Sequence, residues 1–276
     1  MSNPALQKLQ SELHISASQI FTYLGCSLKY MFQYVQKSTP QHLSVALPFG
    51  RAIHQAIDRY YQSVIDTGDG APIVAMQELF TESISLAIDD TSTPILYKKE
   101  APDKDSIIDM GHQLLQVFHD NVDLTGYEVV GTEIPLSATL YTDQGEGTDF
   151  KLVGILDLLL KDKANGELMV VDNKTAKQAK SQDTVDSDLQ LTAYSYLLAA
   201  NGYVFPRSEV MCRFDVLRKL KKPKMEYSYT IRTANHRKRF AKIASAVLTG
   251  IENRIFIPQQ SWMCFDCQFK EECNNW

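Results

Sequence analysis

The sequence lacks any apolar run approaching the roughly 20 residues that a helix needs to span a bilayer. Its first residues, MSNPALQKLQSELHIS, also lack the basic start and the apolar run of a signal peptide. We therefore expect a cytoplasmic protein that does not associate with membranes. In that compartment its five cysteines are expected to be reduced or bound to metal rather than paired in disulfides.

Two further features are missing. The net charge is −5, so the overall charge gives no support for binding nucleic acid, and local charge must carry that case. No G-x-x-x-x-G-K-[ST] stretch occurs, which excludes a P-loop ATP site of this kind. What the chain does have is 276 residues with 44% hydrophobic content and mixed charge, which is typical of a globular protein with a sizeable core.

The most informative stretch, residues 152–175, predicts two β-strands joined by a turn. Asn165-Gly166 lies in the polar break between the strands, and this dipeptide accepts positive φ at both central positions of a hairpin turn. Both strands are apolar on both faces, so we expect them in the middle of a sheet that helices cover. The predicted fold class is therefore α/β, with a central mixed sheet flanked by helices.

This hairpin also contains Asp157, Asp172 and Lys174. A turn near Asn165 makes the two aspartates cross-strand neighbours to within about two residues. Asp172 and Lys174 leave the same face of their strand. Burying like charges together is costly, and a divalent cation with oxygen ligands is the simplest compensation. The alternative is a hairpin whose charged residues lie in solvent at the strand ends, with Lys174 paired to Asp172.

Helical periodicity recurs before the hairpin. The first helix is expected to contain Cys26, which taken alone is typical of a small core residue. His54 lies beside the apolar stripe of the second helix, where it is either a core histidine or a metal ligand. Residues 89–105 are expected to form a long connection without regular structure. The predicted helices cover residues 16–35, 48–65, 73–88 and 107–122.

Candidate residues also lie outside the central hairpin. The first strand, residues 127–140, contains Glu133, which taken alone is an ordinary exposed residue on an alternating strand. Residues 176–185 are polar and predict a loop. The helix that follows, ending near residue 200, carries Gln190 and Tyr194 four positions apart on one face. A second hairpin over residues 208–217 and 225–231 and a helix over 233–253 complete the predicted elements.

Positive charge is concentrated in the second hairpin and the start of the last helix. Between Arg213 and Arg239 there are ten lysines or arginines against two acids, a local net charge of +8. Tyr227 and Tyr229 lie among them, and basic groups with aromatic rings suit single-stranded nucleic acid. A solvated hairpin tip is the alternative interpretation. Cys212, in the same hairpin, is expected to be a core residue.

Three cysteines lie close together in the tail SWMCFDCQFKEECNNW. Cys264, Cys267 and Cys273 have the spacing C-x2-C-x5-C, which is dense for a cytoplasmic chain. Three thiolates need a fourth ligand to complete a tetrahedral zinc site or a cubane cluster. The chain offers Cys26 or Cys212 for that position.

Together these motifs resemble the PD-(D/E)XK nuclease superfamily, and most closely its RecB-like exonuclease branch. Asp157 followed by Asp172-Asn173-Lys174-Thr175 is similar to the core motif of that branch. Gly50 and His54 are similar to its Gly-x-x-x-His helix, and Gln190 and Tyr194 to a Gln-x-x-x-Tyr pattern. The cysteines resemble those of its iron–sulfur members, which include AddB-type subunits and CRISPR-associated RecB-like nucleases. The likeness runs over residues 16–273.

The resemblance implies a restriction-endonuclease-like core in a single domain over residues 1–276. Its parts would be a helical region with the His motif at 16–125, a core sheet at 127–232, and a C-terminal helix with a cysteine tail at 233–276. The implied activity is that of a metal-dependent DNA exonuclease acting on single-stranded DNA or DNA ends, in repair, recombination or CRISPR spacer processing. The alternatives are an inactive DNA-binding or scaffold subunit of a helicase–nuclease complex and an RNA-directed nuclease.

The resemblance also implies roles for individual residues. His54, Asp157, Asp172 and the main-chain carbonyl of Asn173 would bind Mg²⁺ or Mn²⁺. Lys174 would act in catalysis beside these acids, as would Glu133, Gln190 and Tyr194. The ligands of a [4Fe–4S] cluster, with structural Zn²⁺ as the alternative, would be Cys26, Cys264, Cys267 and Cys273. DNA is the expected partner, and a separate helicase or CRISPR adaptation proteins are further expected partners.

Overall fold

A mixed β-sheet with helices on both faces forms the centre of the molecule. The computed structural model describes residues 13–99, 101–142 and 144–276. Residues 1–12, which belong to the stretch where no signal peptide is expected, lie outside the described residues. The described strands are β1 (His14–Ser16), β2 (Leu43–Ser44), β3 (Ile95–Leu96), β4 (Tyr127–Tyr141), β5 (Gly147–Asp162), β6 (Leu168–Ala176), β7 (Val210–Arg218) and β8 (Lys224–Arg232).

The helices lie in three groups along the chain: before β4, between β6 and β7, and after β8. Within the described part of the chain, none of them is long and apolar enough to cross a membrane. The described α-helices are α1 (Ala17–Gly25), α2 (Ser27–Tyr30), α3 (Ala46–Thr67), α4 (Ile73–Asp89), α5 (Lys104–Asn121), α6 (Gln182–Asp186), α7 (Leu189–Ala200), α8 (Ala234–Glu252) and α9 (Lys270–Asn274).

Six of the described strands form the main sheet, in which β5, β6, β7 and β8 follow one another and both β1 and β4 pair with β5. β6 and β7 are parallel, whereas β4–β5, β5–β6 and β7–β8 are antiparallel. The predicted α/β class with a central mixed sheet is confirmed. The sheet extends beyond the predicted 127–232 core, because β1 pairs in parallel with β5, His14 opposite Lys151.

The apolar hairpin lies at the centre of this sheet, as predicted. Leu158 pairs with Val171, and apolar residues of both strands pack into the layers on both faces of the sheet. The turn differs from the prediction. Gly166 has a positive φ of 75°, but Asn165 does not. The connection spans residues 163–167, and a loop of this length closes with one left-handed residue where a two-residue turn needs two.

The N-terminal stretch predicted as one helix is broken at Cys26. α1 begins with a capping box in which Ser16 and Gln19 exchange side-chain and backbone hydrogen bonds. Cys26 itself is extended, with φ −165° and ψ 106°. Its sulfur accepts a hydrogen bond from the backbone N–H of Lys29 at 3.5 Å. The position expected inside a helix is therefore a break, where the Cys26 side chain caps α2.

Two connections contain more regular structure than predicted. The long connection before α5 includes β3, which pairs in parallel with β2 just before α3. The polar loop after β6 includes α6, whose N-cap Ser181 accepts a hydrogen bond from the N–H of Thr184. These elements are two to five residues long, too short for apolar periodicity to indicate them.

Helices cover the sheet in two apolar layers. On one face, α1, α7 and α8 pack against buried residues that include Val170 of β6 and Phe214 of β7. On the other face, α3, α4 and α5 pack against Val171 and Leu217. Because consecutive residues of a strand point to opposite faces, this double layer explains the continuous apolar runs in β5 and β6.

The C-terminal segment, residues 255–274, runs back to the beginning of the described chain. The backbone N–H of Ile257 donates a 2.8 Å hydrogen bond to Ser27 Oγ, at the start of α2. Further along, the N–H of Gln41 donates a 3.0 Å bond to the carbonyl of Gln268. This segment therefore contacts both the N-terminal helices and the short chain that leads into β2 and α3.

Candidate active site

A fork in the sheet organises the candidate site. Leu158 and Val171 form the last recorded pair between β5 and β6. Asp157 and Asp172 are the next residues on the two strands, so the predicted cross-strand neighbourhood agrees with the observed register. Beyond this point β5 pairs with β1, while β6 continues beside β7 with Asp172 opposite Phe214. Polar groups can gather where the two strands separate.

Asp157 is held firmly at this fork. Its side chain is buried, and its Oδ2 atom accepts a 2.8 Å hydrogen bond from the backbone N–H of Asn173. The same oxygen lies 3.4 Å from Nδ1 of His54 on α3. Thr132 on β4 donates a 2.8 Å hydrogen bond to the main-chain carbonyl of Asp157. The carboxylate of Asp157 is thus held from α3 and β6, and its main chain from β4.

Glu133 faces Asp157 from the neighbouring strand. Its flanking residues pair with Leu158 and Leu156, which puts Glu133 opposite Asp157, but the ladder is interrupted here. The backbone of Glu133 has a φ of 47°, an uncommon and strained conformation for a non-glycine residue. Ligand atoms of His54, Glu133 and Asp157 lie within 4.8 Å of one another.

The pKa of the Glu133 carboxyl group depends on its burial and on the acidic groups nearby. Burial, reinforced by the charges of Asp157, Asp58 and Asp172, raises its pKa to about 8. Burial likewise raises the pKa of Asp172, although Lys174 opposes the shift. A carboxyl group with a raised pKa can be ionised again by a bound cation, because a nearby positive charge favours the carboxylate.

Asp172 is fully buried and incompletely satisfied. Its Oδ2 atom lies 2.7 Å from Nζ of Lys174. Lys174 is thus the partner of this oxygen, whereas Oδ1 has no hydrogen-bond partner among the described residues. Buried carboxylate oxygens normally have such partners, so the free lone pairs of Oδ1 fit a site that a cation completes.

Lys174 connects the acids to helix α7. Its ammonium donates a 3.0 Å hydrogen bond to Oε1 of Gln190, and Nε2 of Gln190 donates a 2.8 Å bond to the hydroxyl of Tyr194. Burial would lower the pKa of Lys174, but Asp172 and Asp157 outweigh it, so the pKa is raised. Lys174 is therefore held as a cation, with its position fixed from both sides.

Two polar residues at the site are not among the sequence predictions. Thr132 also lies 2.9 Å from Asp58, with its hydroxyl as donor to a carboxylate oxygen. Asp58 is four residues after His54 on α3, and burial raises its pKa. The i,i+4 spacing from His54 is the sequence signal that could have indicated Asp58, whereas nothing in the pattern of β4 singles out Thr132.

The structure brings the four candidate cluster ligands to one place. They line a cavity of about 590 Å³ beside α1 and α2, and Cys212 is buried elsewhere in β7, as predicted. Burial, followed by the charges of the other three thiols, raises the pKa of Cys273. No three of these described sulfur atoms lie within 4.8 Å of one another. The four cysteines that line this cavity are Cys26, Cys264, Cys267 and Cys273.

The basic concentration in the second hairpin is smaller than the sequence suggests. Four of its ten cations are buried and bonded within the protein, so they stabilise the fold and are not available to a ligand. The ring of Tyr227 also has a partner within the protein, because the Arg213 guanidinium lies 4.8 Å from its centre. The internal pairs are Arg213 with Asp215, Arg218 with Glu226, Arg232 with Thr192, and Arg237 with Ser195.

The fold and the site define an α/β protein whose acids, with a histidine and a lysine, converge at the fork of its sheet. The family model of the PD-(D/E)XK nuclease superfamily matches residues 14–274, and the chain belongs to that superfamily. The sequence matches no curated protein.

Solved structures provide a further comparison. A candidate exonuclease from Eubacterium rectale is similar in fold, with a TM-score of 0.58 and 12% identity over 100% of this chain and 92% of that one. The protein SSO0001 has 15% identity and a TM-score of 0.38, covering 90% of this chain and 94% of its own. The first of these supports the restriction-endonuclease-like fold.

Proposed function

We propose that this chain is a Mg²⁺- or Mn²⁺-dependent DNA exonuclease of the RecB-like branch, acting on single-stranded DNA or on DNA ends. The observation that carries the proposal is the convergence of His54, Glu133 and Asp157 beside the buried, incompletely satisfied carboxylate of Asp172. Hard divalent cations prefer such oxygen-rich ligand sets. The Eubacterium rectale neighbour, described as a candidate exonuclease, is consistent with this activity.

The residues divide into cation ligands and groups that act on substrate. His54, Glu133, Asp157 and Asp172 would hold the cation, with the carbonyl of Asn173 as a further ligand. A cation bound there supplies Lewis-acid polarisation of the phosphodiester and lowers the pKa of an attacking water. The strained backbone of Glu133 and the bond from Asn173 to Asp157 keep two of these acids in place before substrate binds.

Lys174 is the proposed catalytic donor. It points a fixed positive charge at the fork, where it can orient the attacking water or stabilise charge that develops on the phosphate. Gln190 and Tyr194 act on Lys174 through the chain of hydrogen bonds that begins at its ammonium. We propose that both are positioning residues, and that Tyr194 also lines the approach of the substrate.

The test is cleavage of end-labelled DNA with Mg²⁺ or Mn²⁺. Asp172→Asn and Lys174→Met should each lower kcat/KM by roughly a hundredfold or more, while DNA binding persists. Asp109→Asn, which alters an exposed carboxylate on α5, is the matched control and should cleave normally. Metal-dependent cleavage that survives in purified Asp172→Asn or Lys174→Met would contradict the assignment.

Two other functions remain candidates under the same geometry. An RNA-directed nuclease would use the same cation and the same lysine, and end-labelled RNA in parallel with DNA separates the two. A catalytically inactive scaffold subunit would bind DNA without cleaving it. The intact set of Asp157, Asp172 and Lys174 favours an active enzyme, because an inert scaffold has no need for this costly buried charge. A separate helicase or CRISPR adaptation proteins are the proposed partners.

We further propose that the four-cysteine cavity binds a [4Fe–4S] cluster, with Zn²⁺ as the alternative. Four cysteine thiols that line one cavity are a donor set that fits either group. Anaerobic purification followed by iron, sulfide and zinc analysis tests this. We expect about four irons per chain and a visible spectrum that Cys273→Ser abolishes. Stoichiometric zinc without iron would show that the cavity binds zinc and that the cluster proposal is wrong.

A further inference from the structure

Basic residues gather where the parallel strands β6 and β7 end, next to the fork. Five of them lie at positions 174–180 and 218–219, and four of these five interact within the protein. Lys174 pairs with Asp172, Lys180 with Asp188 and Arg218 with Glu226, and Lys177 also has an internal interaction. The fifth is Lys219, the first residue after β7. Its surroundings differ from those of the other four.

Lys219 lies on the α3 side of the sheet end. Its backbone N–H donates a 2.8 Å hydrogen bond to the carbonyl of Ala176, the last residue of β6. Its ammonium lies 5.2 Å from the ring centre of Phe49, in the first turn of α3. The side chain is half-buried. Both its backbone and its side chain are thus held against fixed elements.

The Lys219 ammonium has no acidic partner among the residues that the structure describes. In the described ranges no carboxylate forms an ion pair with Lys219, and burial lowers its pKa without an opposing acid. Taking a cation partly out of water without a counter-charge costs free energy. The Phe49 ring offsets part of that cost, because a cation is attracted to the face of an aromatic ring. An external anion would offset more of it.

The location of the Lys219 ammonium indicates which external anion would bind to it. Ala176 is two residues beyond Lys174 on β6, which corresponds to about 6.6 Å along a strand. Phe49 precedes His54 by five residues, which corresponds to about 7.5 Å along a helix. Lys219 therefore lies beside the fork on the side opposite α7, close enough for one strand of nucleic acid to contact both places.

We propose that Lys219, supported by the ring of Phe49, binds a backbone phosphate of the nucleic-acid strand next to the phosphate that is cleaved. This inference rests on the proposed nuclease function and adds a substrate-positioning residue to it. Phosphate contacts of this kind fix the position of a strand without reading its sequence. Lys219 would therefore set how the strand lies across the fork.

Salt dependence of binding is the sharpest test. The test uses an Asp172→Asn background, which should bind without cleaving. A fluorescent single-stranded oligonucleotide is titrated with this protein in the presence of Mg²⁺, at several salt concentrations from roughly 50 to 200 mM. Lys219→Met should weaken binding several-fold and reduce the slope of log K against log salt by about 0.7, the value for one phosphate contact on a single strand. Lys219→Arg should restore the slope, because it keeps the cation.

Lys161→Met is the matched control, because it removes an exposed lysine at the opposite, hairpin end of β5 and should leave the slope unchanged. With Asp172 intact, Lys219→Met should raise KM more than it lowers kcat. If Lys219→Met melts at a lower temperature but keeps the parental slope, Lys219 only supports the fold and the phosphate site is wrong. Cleavage by the unmodified chain would then still support the nuclease proposal, whereas no binding and no cleavage would overturn both.

Discussion

At the scale of single residues, Glu133 combines backbone strain with electrostatic strain. Its φ of 47° and its pKa of about 8 both cost free energy in the protein without a cation. Strain of this kind is common where a site is arranged for a ligand that is not yet bound. The raised pKa of Glu133 makes the stability of the folded protein depend on pH.

Glu133→Gln should change how the metal-free protein responds to pH. The folded pKa of about 8 lies above the ordinary value of 4.5, so folded protein keeps a proton that the unfolded chain releases. Stability should therefore fall as pH rises from about 4.5 to 8, by on the order of a few kcal/mol. Urea unfolding in EDTA at the two ends of this window should show the fall in the parent and a flatter dependence in Glu133→Gln.

The control is Glu128→Gln, which alters an exposed carboxylate on the same strand and should keep the parental pH dependence. Mg²⁺ should flatten the dependence in the parent, since the cation competes with the proton for the same carboxylate. Equal slopes for the parent and Glu133→Gln in EDTA would contradict the buried position of Glu133.

At the scale of elements, helix α7 determines where Lys174 points. Its N-cap Asp188 accepts hydrogen bonds from the backbone N–H groups of Gln190 and Leu191 at 2.9 and 3.1 Å. The carbonyl of Asp188 accepts a further bond from the buried guanidinium of Arg232 on β8. The first turn of α7, and with it Gln190, is therefore fixed from the edge of the sheet.

Asp188→Ala should lower both stability and kcat, because the capped first turn of α7 positions Gln190 beside Lys174. Loss of the cap should cost about 1 kcal/mol of stability and should let Gln190 move, so that kcat falls several-fold. Asp103→Ala, which removes the N-cap aspartate of α5, should lower stability without changing kcat. Thermal melts and initial rates on DNA compare the two variants, and equal kcat for both would show that the start of α7 does not position Lys174.

Much of this architecture was predictable, because long apolar runs and their turns determine register. Asp157 and Asp172 could be matched across the hairpin, since one paired position fixes all others. The break at Cys26 was not predictable, because the apolar period continues through it. The contact of Glu133 with His54 depends on a local backbone distortion in β4. Such distortions arise from tertiary packing and leave no periodic signal in the sequence.

At the scale of the whole molecule, the C-terminal segment connects the cysteine cavity to the helix that carries His54. Lys98, just after β3, forms an ion pair with Asp266, between two of the cysteines. The Gln41–Gln268 hydrogen bond adds a second contact, immediately before β2. Since β2 leads directly into α3, the arrangement of the cysteine segment bears on the start of that helix.

Removing the cluster proposed for the cysteine cavity should therefore loosen residues well outside it. Hydrogen exchange should become faster at residues 41–45 and 95–98 in Cys273→Ser or after iron chelation, because their partners in the C-terminal segment lose their anchor. The β7–β8 hairpin should keep its protection and serves as the internal control. Unchanged exchange at residues 41–45 would mean that the cavity and α3 are independent.

The hydrogen bond between Ser27 and Ile257 joins positions 230 residues apart, and Cys26 lies immediately beside it. Any inorganic bridge from Cys26 to the C-terminal thiols would turn this contact into a closed ring that encloses all strands of the fork. For a ring of well over 200 residues, the chain-entropy model gives a gain of somewhat more than about 5 kcal/mol, all of it through the unfolded chain. Oxidative loss of that bridge would then lower the stability of the whole fold.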